Sequence, residues 1–216
     1  MAKVAPSILA ADFANMGRDV GKLEAWGASL VHCDVMDGYF VPNMSIGPHM
    51  IKAIKPYTNL TLDIHLMITQ PERYVLDFVR AGADSITVHQ EATPHLHRAL
   101  SLIKENGVKA GVALNPSTSI ASVENVLYML DMVLIMTINP GYERQQLIPS
   151  MIDKVASMKE LIDHRGLNIA IQVDGGVNPG NATALISAGA DILVAGGAIF
   201  GADDPCKAVS DLCGEA

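Results

Sequence analysis

Two histidines and two aspartates occupy positions in this sequence that suit a single metal site. His32 and Asp34 are two residues apart in "SLVHCDVMD", so both side chains point to the same face if this run is a strand. His65 lies near the end of "LTLDIHLM", and Asp174 follows the apolar part of "IAIQVDGG". Two imidazoles and two carboxylates predict a divalent cation, with Zn²⁺ favoured and Fe²⁺, Mn²⁺ or Co²⁺ as alternatives because no ligand is sulfur.

The two aspartates of this set also suit proton transfer next to a carbonyl. A cation that holds a carbonyl oxygen and a neighbouring hydroxyl oxygen steadies the negative charge of an enediolate. Asp34 would then remove a proton from carbon and Asp174 would return one, or the reverse. If the two carboxylates face opposite sides of the plane of this enediolate, the configuration at that carbon is inverted.

Other polar residues near these positions have simpler interpretations. Asp37 and Asp63 are expected to support the ligands or the fold. His89 in "TVHQE" is a single histidine at a strand end, and such residues are more often structural than ligating. The four-residue set differs because several ligand-type side chains at three strand ends are costly to bury unpaired.

Three methionines stand at the ends of apolar runs: Met36, Met67 and Met136. Core filling is one interpretation of these residues. The other is that their thioethers exclude water from the site and lower the local dielectric, which strengthens electrostatic stabilisation of the intermediate.

Two glycine pairs follow the last two apolar runs of the chain. They are Gly175 and Gly176 in "VDGGV", and Gly196 and Gly197 in "VAGGAIF". Backbone amides at these strand ends, each followed by a helix N-terminus, predict a phosphate-binding site. The alternative is that the glycines serve only tight turns between strand and helix.

Alternating strands and helices must position these side chains. Most of the apolar runs are followed by helical spacing, as with Val75, Phe78 and Val79 before Gly82. Eight near-continuous apolar strands separated by helices predict an α/β fold, a (β/α)₈ TIM barrel, with its chemistry at the carboxyl ends of the strands. A doubly wound open sheet is the alternative, but "SILAADFANMG" lacks the glycine-rich first turn it needs. The eight runs are "VAPSILA", "SLVHCDVMD", "LTLDIHLM", "SITVHQE", "KAGVALN", "MVLIMTIN", "IAIQVDGG" and "DILVAGGAIF".

Length and composition indicate one globular domain over residues 1–216. Half of the residues are hydrophobic and 18% are charged, which permits a large core. The net charge is −8 and lysine and arginine do not cluster, so nucleic acid is excluded as a partner.

The first residues do not resemble a signal peptide, and no apolar stretch is long enough for a membrane span. Cys33, Cys206 and Cys213 are an odd set without zinc-site spacing, so no disulfide framework is predicted. We therefore expect a cytoplasmic protein that does not bind membranes.

The motifs resemble those of the ribulose-phosphate 3-epimerase family over nearly the full chain. They are "APSILAADF", "HCDVMDGYFVPN", "DIHLM", "HLHRAL", "NPGYERQ", "VDGGV" and "VAGGAIF". The resemblance implies a metal-dependent TIM barrel that inverts C3 of a ketopentose 5-phosphate, mostly D-ribulose and D-xylulose 5-phosphate. It also implies a homo-oligomer.

The resemblance assigns roles to residues of this chain. It implies that Asp34 and Asp174 are acid/base carboxylates and that both also bind metal with His32 and His65. The implied substrate contacts are Ser7, Met36, His65, Met67, Met136, Gly141, Arg144, Gln145, Gly175, Gly176, Gly196 and Gly197.

Three positions depart from the family pattern. The usual "PGFGGQ" is "PGYERQ" here, so Glu143 and Arg144 replace two glycines. Gly197 removes a hydroxyl where "AGSA" is usual, and Tyr39 stands where histidine is common. Arg144 could bind phosphate, whereas Glu143 would oppose it. Two hypotheses follow: ribulose 5-phosphate is still the substrate, or the ketose differs and is a ketohexose 6-phosphate such as allulose 6-phosphate, or unphosphorylated.

Two further readings compete with epimerisation. A related barrel lyase would carry a lysine among the aspartates of the second strand, but this chain has Met36 there. A non-catalytic sugar-phosphate-binding protein would lack a ligand or a base, but all four candidate residues are present.

Overall fold

The computed structural model describes residues 1–142 and 145–214. Within these residues, eight strands follow the predicted apolar runs. Their bounds are β1 Lys3–Pro6, β2 Leu30–Met36, β3 Thr61–Met67, β4 Ser85–His89, β5 Lys109–Leu114, β6 Met132–Met136, β7 Ala170–Asp174 and β8 Ile192–Ala195.

Helices lie between most of these strands. They are α1 Met16–Val20, α2 Pro48–Ile54, α3 Val75–Ala81, α4 Leu96–Glu105, α5 Ser150–His164, α6 Pro179–Ser187, α7 Gly197–Phe200 and α8 Pro205–Cys213. The connection from β5 to β6 instead contains two 3₁₀ turns, Ile120–Val123 and Leu127–Met129. The described helices therefore cover the sheet except along this connection, where short turns replace a full helix.

The helices are amphipathic and are ended by local signals. In α4, Leu96, Ala99, Leu100 and Ile103 are buried, which is the spacing of one helix face. Gly82 ends α3 in the left-handed region at φ 101°, and its amide donates to helix carbonyls. The predicted stop at this glycine is where the helix ends.

All the strand pairs are parallel, in the order β1-β8-β7-β6-β5-β4-β3-β2. An isolated parallel bridge between Ser7 and His32 joins the two edges, just beyond the end of β1. The predicted (β/α)₈ TIM barrel is confirmed, and the open-sheet alternative is wrong because this bridge brings the edge strands together. The bridge also places Ser7 beside the metal-ligand candidates.

The main core lies between the sheet and the helices. Val31, Cys33 and Val35 of β2 point outward into it and are buried. The alternate residues of the same strand, His32 and Asp34, point into the barrel, as the two-residue period requires. The barrel interior therefore holds polar side chains, while the outer layer supplies the apolar burial.

Two strands end earlier than the apolar runs. β1 stops at Pro6, and Ile8–Ala10 forms a 3₁₀ turn in which the Leu9 amide donates to the Ser7 hydroxyl. β8 stops at Ala195 because Gly196 leaves the extended conformation, at φ −102° and ψ −84°, and α7 begins. Both strand ends contribute residues to the mouth of the barrel, among them Ser7 and Gly196.

Across residues 1–142 and 145–214, none of the helices combines the length and the apolar character needed to cross a membrane.

Candidate active site

His32, Asp34, His65 and Asp174 come together at the carboxyl-end mouth of the barrel. Each offers one ligand atom, and these atoms all lie within 4.8 Å of one another. The strand register explains the grouping, since Asp34 pairs with His65 across β2 and β3. The structure thus brings together the four residues predicted as metal ligands.

The distances place the two carboxylates around the same imidazole nitrogens. Nδ1 of His65 lies 3.0 Å from Oδ1 of Asp34 and 3.8 Å from Oδ2 of Asp174. Nε2 of His32 lies 3.3 Å from Oδ1 of Asp34 and 4.0 Å from Oδ2 of Asp174. Two nitrogens and two oxygens therefore converge on one point, and this donor set suits a divalent cation.

Asp63 orients His32 from the other side of its ring. Nδ1 of His32 lies 2.8 Å from Oδ2 of Asp63, and a carboxylate can only accept, so Nδ1 carries the hydrogen. The same carboxylate accepts from Ser85 Oγ at 2.6 Å and from Gln172 Nε2 at 2.7 Å. All of these groups are buried. Three hydrogen-bond donors therefore hold the Asp63 carboxylate in a site that water does not reach.

The other nitrogen of His32 is left for a ligand. Among the described residues, Nε2 of His32 makes no hydrogen bond, although it is fully buried and faces the cluster. A buried nitrogen without a partner is costly unless a ligand satisfies it. This orphaned atom shows that the residues present fit a bound cation.

The electrostatics of His32 also favour positive charge at this point. Burial lowers the pKa of His32, but the negative charge of Asp34 and the hydrogen bond to Asp63 outweigh burial and raise the pKa well above its usual value. His65 differs, because burial and the neighbouring His89 lower its pKa to about 4 despite Asp34. His65 is thus a neutral imidazole at neutral pH, as metal binding requires.

The two aspartates have opposite tendencies. Burial opposes ionisation of Asp34, but His32 and His65 outweigh it and lower the pKa of this carboxyl. Oδ2 of Asp34 also accepts a hydrogen bond of 2.5 Å from Ser7 Oγ. For Asp174, burial and the negative charge of Asp34 together raise the pKa to about 7. One carboxyl is held ionised while the other readily carries a proton.

A cavity of about 590 Å³ opens above this cluster. Ser7, Asp34 and Asp174 lie at its lining, and a ketose phosphate fits a space of this size. The three methionines predicted to cover the site also line the cavity and are themselves buried: Met36, Met67 and Met136.

The two glycine pairs line the same cavity. Gly175 and Gly176 both have positive φ, at 120° and 66°, and a side chain on Gly176 would come within 2.5 Å of the Leu147 amide nitrogen. Gly196 and Gly197 lie at the start of α7, and a side chain at Gly197 would meet no atom within 4 Å. These four residues therefore line the cavity with backbone and no side chain.

The loop after β6 contributes the remaining predicted contacts. Gly141 and Gln145 line the cavity. The Gln145 amide nitrogen donates to the carbonyls of Asn139 and Tyr142, at 2.7 and 3.0 Å, so this side chain ties the loop together. Arg144, predicted as a substrate contact, and Glu143 lie outside the described residues.

Several residues that build the site were not singled out in the sequence. Ser85 and Gln172 hold Asp63, and Glu91 contacts His89. Gln172 precedes Asp174 by two residues, and Glu91 follows His89 by two. For Gln172, which shares β7 with Asp174, this two-residue spacing was a usable signal, whereas Glu91 lies in the turn after β4. Asp37, by contrast, accepts from the amides of Tyr39, Phe40 and Thr69 and shapes loops.

The fold and the site define a (β/α)₈ barrel with a buried two-histidine, two-aspartate cluster beneath its carboxyl-end cavity. The sequence model of the ribulose-phosphate 3 epimerase family matches residues 3–200. Ribulose-phosphate 3-epimerase from Bacillus subtilis is 52% identical over 99% of both chains. The chain belongs to the ribulose-phosphate 3-epimerase family.

More distant similarities agree with this placement. The chloroplastic ribulose-5-phosphate-3-epimerase of Arabidopsis thaliana is 49% identical over 97% of this chain and 75% of its own length. Among solved structures, KGPDC from Streptococcus mutans superposes with a TM-score of 0.73 at 13% identity, covering 100% of this chain and 97% of the other. At that identity the similarity shows the barrel fold alone.

Proposed function

We propose that this enzyme is a carbohydrate epimerase that interconverts D-ribulose 5-phosphate and D-xylulose 5-phosphate by inverting C3. The observation that carries the proposal is the Asp34–Asp174 pair. Both carboxyls face one metal-type cluster, and their pKa values are displaced in opposite directions. Two titratable groups whose environments push their pKa values apart are typical of an acid and a base that act in the same reaction.

In this proposal each aspartate serves one face of the substrate at C3. Asp34, held ionised by the two histidines, accepts the C3 proton from one epimer. Asp174 carries a proton and delivers it to the opposite face of the planar intermediate. The reverse reaction exchanges these two roles. Ser7 holds Asp34 in position through its 2.5 Å hydrogen bond.

His32, Asp34, His65 and Asp174 would hold the divalent cation, which we propose is Zn²⁺, with Fe²⁺, Mn²⁺ and Co²⁺ accepting the same donors. When bound, the cation would stabilise negative charge on the oxygens of the substrate next to the reacting carbon. The buried imidazoles fit this role because His32 Nε2 is otherwise orphaned and His65 is neutral.

The rest of the cavity recognises the sugar phosphate in our proposal. Backbone amides of the two glycine pairs would bind the phosphate, with Gly141 and Gln145 shaping the adjoining wall. Met36, Met67 and Met136 would exclude water above the reacting carbons. Arg144 would add positive charge from the same loop. We further propose that the enzyme works in the cytoplasm, and its assembly as a homo-oligomer stays a prediction.

The names of the relatives support a pentulose 5-phosphate over the other ketoses that the "PGYERQ" loop left open. A panel of ribulose 5-phosphate, allulose 6-phosphate and the free ketoses, with product isomers measured directly, tests the choice. We expect kcat/KM on ribulose 5-phosphate of about 10⁴ M⁻¹s⁻¹ or more. A larger kcat/KM on a ketohexose phosphate or a free ketose would contradict the proposed substrate.

Chelation tests the metal in the same assay. The metal-depleted enzyme is expected to lose activity and to recover it with Zn²⁺. Turnover that is undiminished after verified metal loss would contradict the metal role. Replacement of Glu143 and Arg144 by glycine exchanges the charge of Arg144 for the glycine amides of the usual family pattern, so kcat/KM on ribulose 5-phosphate is expected to change only slightly.

A further inference from the structure

A line of hydrogen bonds leads from the metal-ligand cluster to the surface through His89, a residue that the proposed reaction does not use. Nε2 of His65 lies 2.8 Å from Nε2 of His89. Nδ1 of His89 lies 3.2 Å from Oε2 of Glu91, in the turn that follows β4. His65 and His89 are fully buried, whereas the Glu91 side chain is 23% exposed.

The direction of each hydrogen bond in this line follows from the group at its outer end. Glu91 is a carboxylate and can only accept, so Nδ1 of His89 must donate to it. The Nε2 of His89 is then the accepting nitrogen of that ring. When Nδ1 of His65 binds a cation, Nε2 of His65 carries the hydrogen and donates to His89; without a cation, Nδ1 can instead donate to Oδ1 of Asp34, 3.0 Å away.

The accepting nitrogen of His89 favours the His65 tautomer in which the Nδ1 lone pair is available to a metal ion. Nδ1 of His65 is the atom that faces Asp34 and Asp174 within the cluster. The ring of His89 also packs against Phe40, with the ring centroids 4.8 Å apart. His89 is thus held in position by contacts with His65, Glu91 and Phe40.

Glu91 is itself held in place from the neighbouring connection. Its Oε1 accepts from the backbone amide of Asn115 at 2.8 Å and from the Thr118 hydroxyl. Lys154 donates to the Asn115 carbonyl at 2.7 Å, which anchors the same connection. Because the Asn115 amide can only donate, it requires an acceptor at this position.

We propose that Glu91 and His89 are positioning residues that fix the tautomer of His65 and thereby set the affinity of the site for its metal ion. The inference rests on the metal site of the proposed function. Outer partners of this kind raise the basicity of a ligating imidazole, and their loss typically costs about 10–100-fold in metal affinity.

Two substitutions of Glu91 distinguish the effect of hydrogen-bond direction from the effect of side-chain packing. In Glu91→Gln the amide oxygen must face the Asn115 amide, so the amide NH₂ faces His89 and reverses the hydrogen bond. His89 would then carry its hydrogen on Nε2, opposite the hydrogen on His65, and His65 would be pushed toward the tautomer that cannot bind metal. In Glu91→Ala, water can enter this partly exposed position and accept from His89 with the original polarity.

The experiment measures Zn²⁺ affinity of the metal-depleted full chain by competition with a chromophoric chelator. We expect the unsubstituted chain to bind most tightly, Glu91→Ala less tightly, and Glu91→Gln most weakly, about 10–100-fold below the unsubstituted chain. A purely structural role predicts the opposite order, because glutamine preserves the shape that alanine removes. Glu124→Gln is the matched control, since Glu124 pairs with Arg165 at the surface and should leave the affinity unchanged.

A spectroscopic measurement gives an independent result. In zinc-loaded protein labelled with ¹⁵N-histidine, we expect His65 to carry its hydrogen on Nε2, and we expect this pattern to be lost in Glu91→Gln. Equal Zn²⁺ affinity of Glu91→Gln and the unsubstituted protein would overturn the positioning role of Glu91 and His89. Tighter Zn²⁺ binding by Glu91→Gln than by Glu91→Ala would do the same. Either result would leave the proposed function standing. If Glu91→Gln does not fold, an unchanged Zn²⁺ affinity of Glu91→Ala would overturn the positioning role. Absence of Zn²⁺ binding by the unsubstituted chain would overturn both proposals.

Discussion

Asp34 and Asp174 approach the same nitrogen, Nδ1 of His65, at 3.0 and 3.8 Å, yet their carboxyl groups have opposite protonation tendencies. Asp34 is buried and Asp174 is partly buried, and burial raises the pKa of each. For Asp34 the two histidines outweigh burial and lower the pKa, whereas for Asp174 the charge of Asp34 adds to burial. The pair can therefore hold one proton between them, which is what transfer of a single proton requires.

Replacement of either aspartate by asparagine should stop epimerisation. The amide keeps the shape of the side chain but cannot accept a proton from carbon, and general acid–base groups contribute about 10²–10⁴-fold to rate. We expect kcat to fall by at least this factor in Asp34→Asn and in Asp174→Asn, measured by direct detection of xylulose 5-phosphate.

The control for this pair is Asp163→Asn, which removes an exposed carboxylate that pairs with Lys159 on α5. Its kcat should match that of the unsubstituted enzyme. A kcat in either active-site variant within tenfold of the unsubstituted value would contradict the assignment of the two acid/base groups.

Asp63→Asn should weaken metal binding without touching a ligand. The carboxylate accepts from His32, Ser85 and Gln172, and an amide in its place must turn an NH₂ group toward one of these donors. We expect Zn²⁺ affinity to fall about 10–100-fold, measured by chelator competition. Affinity equal to that of the unsubstituted protein would show that His32 does not depend on Asp63 for its orientation.

Asp19 should make folding stability depend on pH in acid. The hydrogen bond from Arg18 lowers the pKa of Asp19 to about 2, helped by Lys22 and the Asp12 amide and opposed by burial. Because the folded pKa is below the unfolded value of 3.8, the stabilisation is present above pH 4 and is lost as the pH falls toward 2. The shift corresponds to roughly 2 kcal/mol, reduced to about 1 kcal/mol by solvent screening of the half-exposed Arg18 and Lys22.

Urea unfolding of Asp19→Asn at several pH values measures this effect. The variant should be less stable than the unsubstituted protein at pH 7, and the difference should shrink toward zero near pH 2. A stability difference that is constant across this range would mean that Asp19 acts through packing and not through its charge.

The barrel and the four-residue cluster follow from the sequence because periodicity and topology act together. His32 and Asp34 share a strand face by their two-residue spacing, and parallel strands bring their carboxyl ends to one rim. His65 and Asp174 could therefore be placed beside them without any knowledge of register.

Contacts that depend on register and side-chain direction could not be predicted in this way. The meeting of His65 with His89 requires that β3 and β4 be aligned and that both rings turn toward each other. From the sequence, the Gln145 side-chain amide could equally face a ligand or its own loop. In the structure it donates to the carbonyls of Asn139 and Tyr142 within the loop. Strand ends at Pro6 and Ala195 depend on local backbone geometry that an apolar run does not encode.

The fate of the C3 hydrogen tests the central claim most directly. Ribulose 5-phosphate is incubated with the metal-loaded enzyme in D₂O, and the xylulose 5-phosphate formed is examined by NMR at C3. Transfer between two aspartates, one of which delivers a proton that has exchanged with solvent, predicts deuterium at C3 of the product. Product that keeps its original hydrogen at C3 would contradict proton transfer by the Asp34–Asp174 pair.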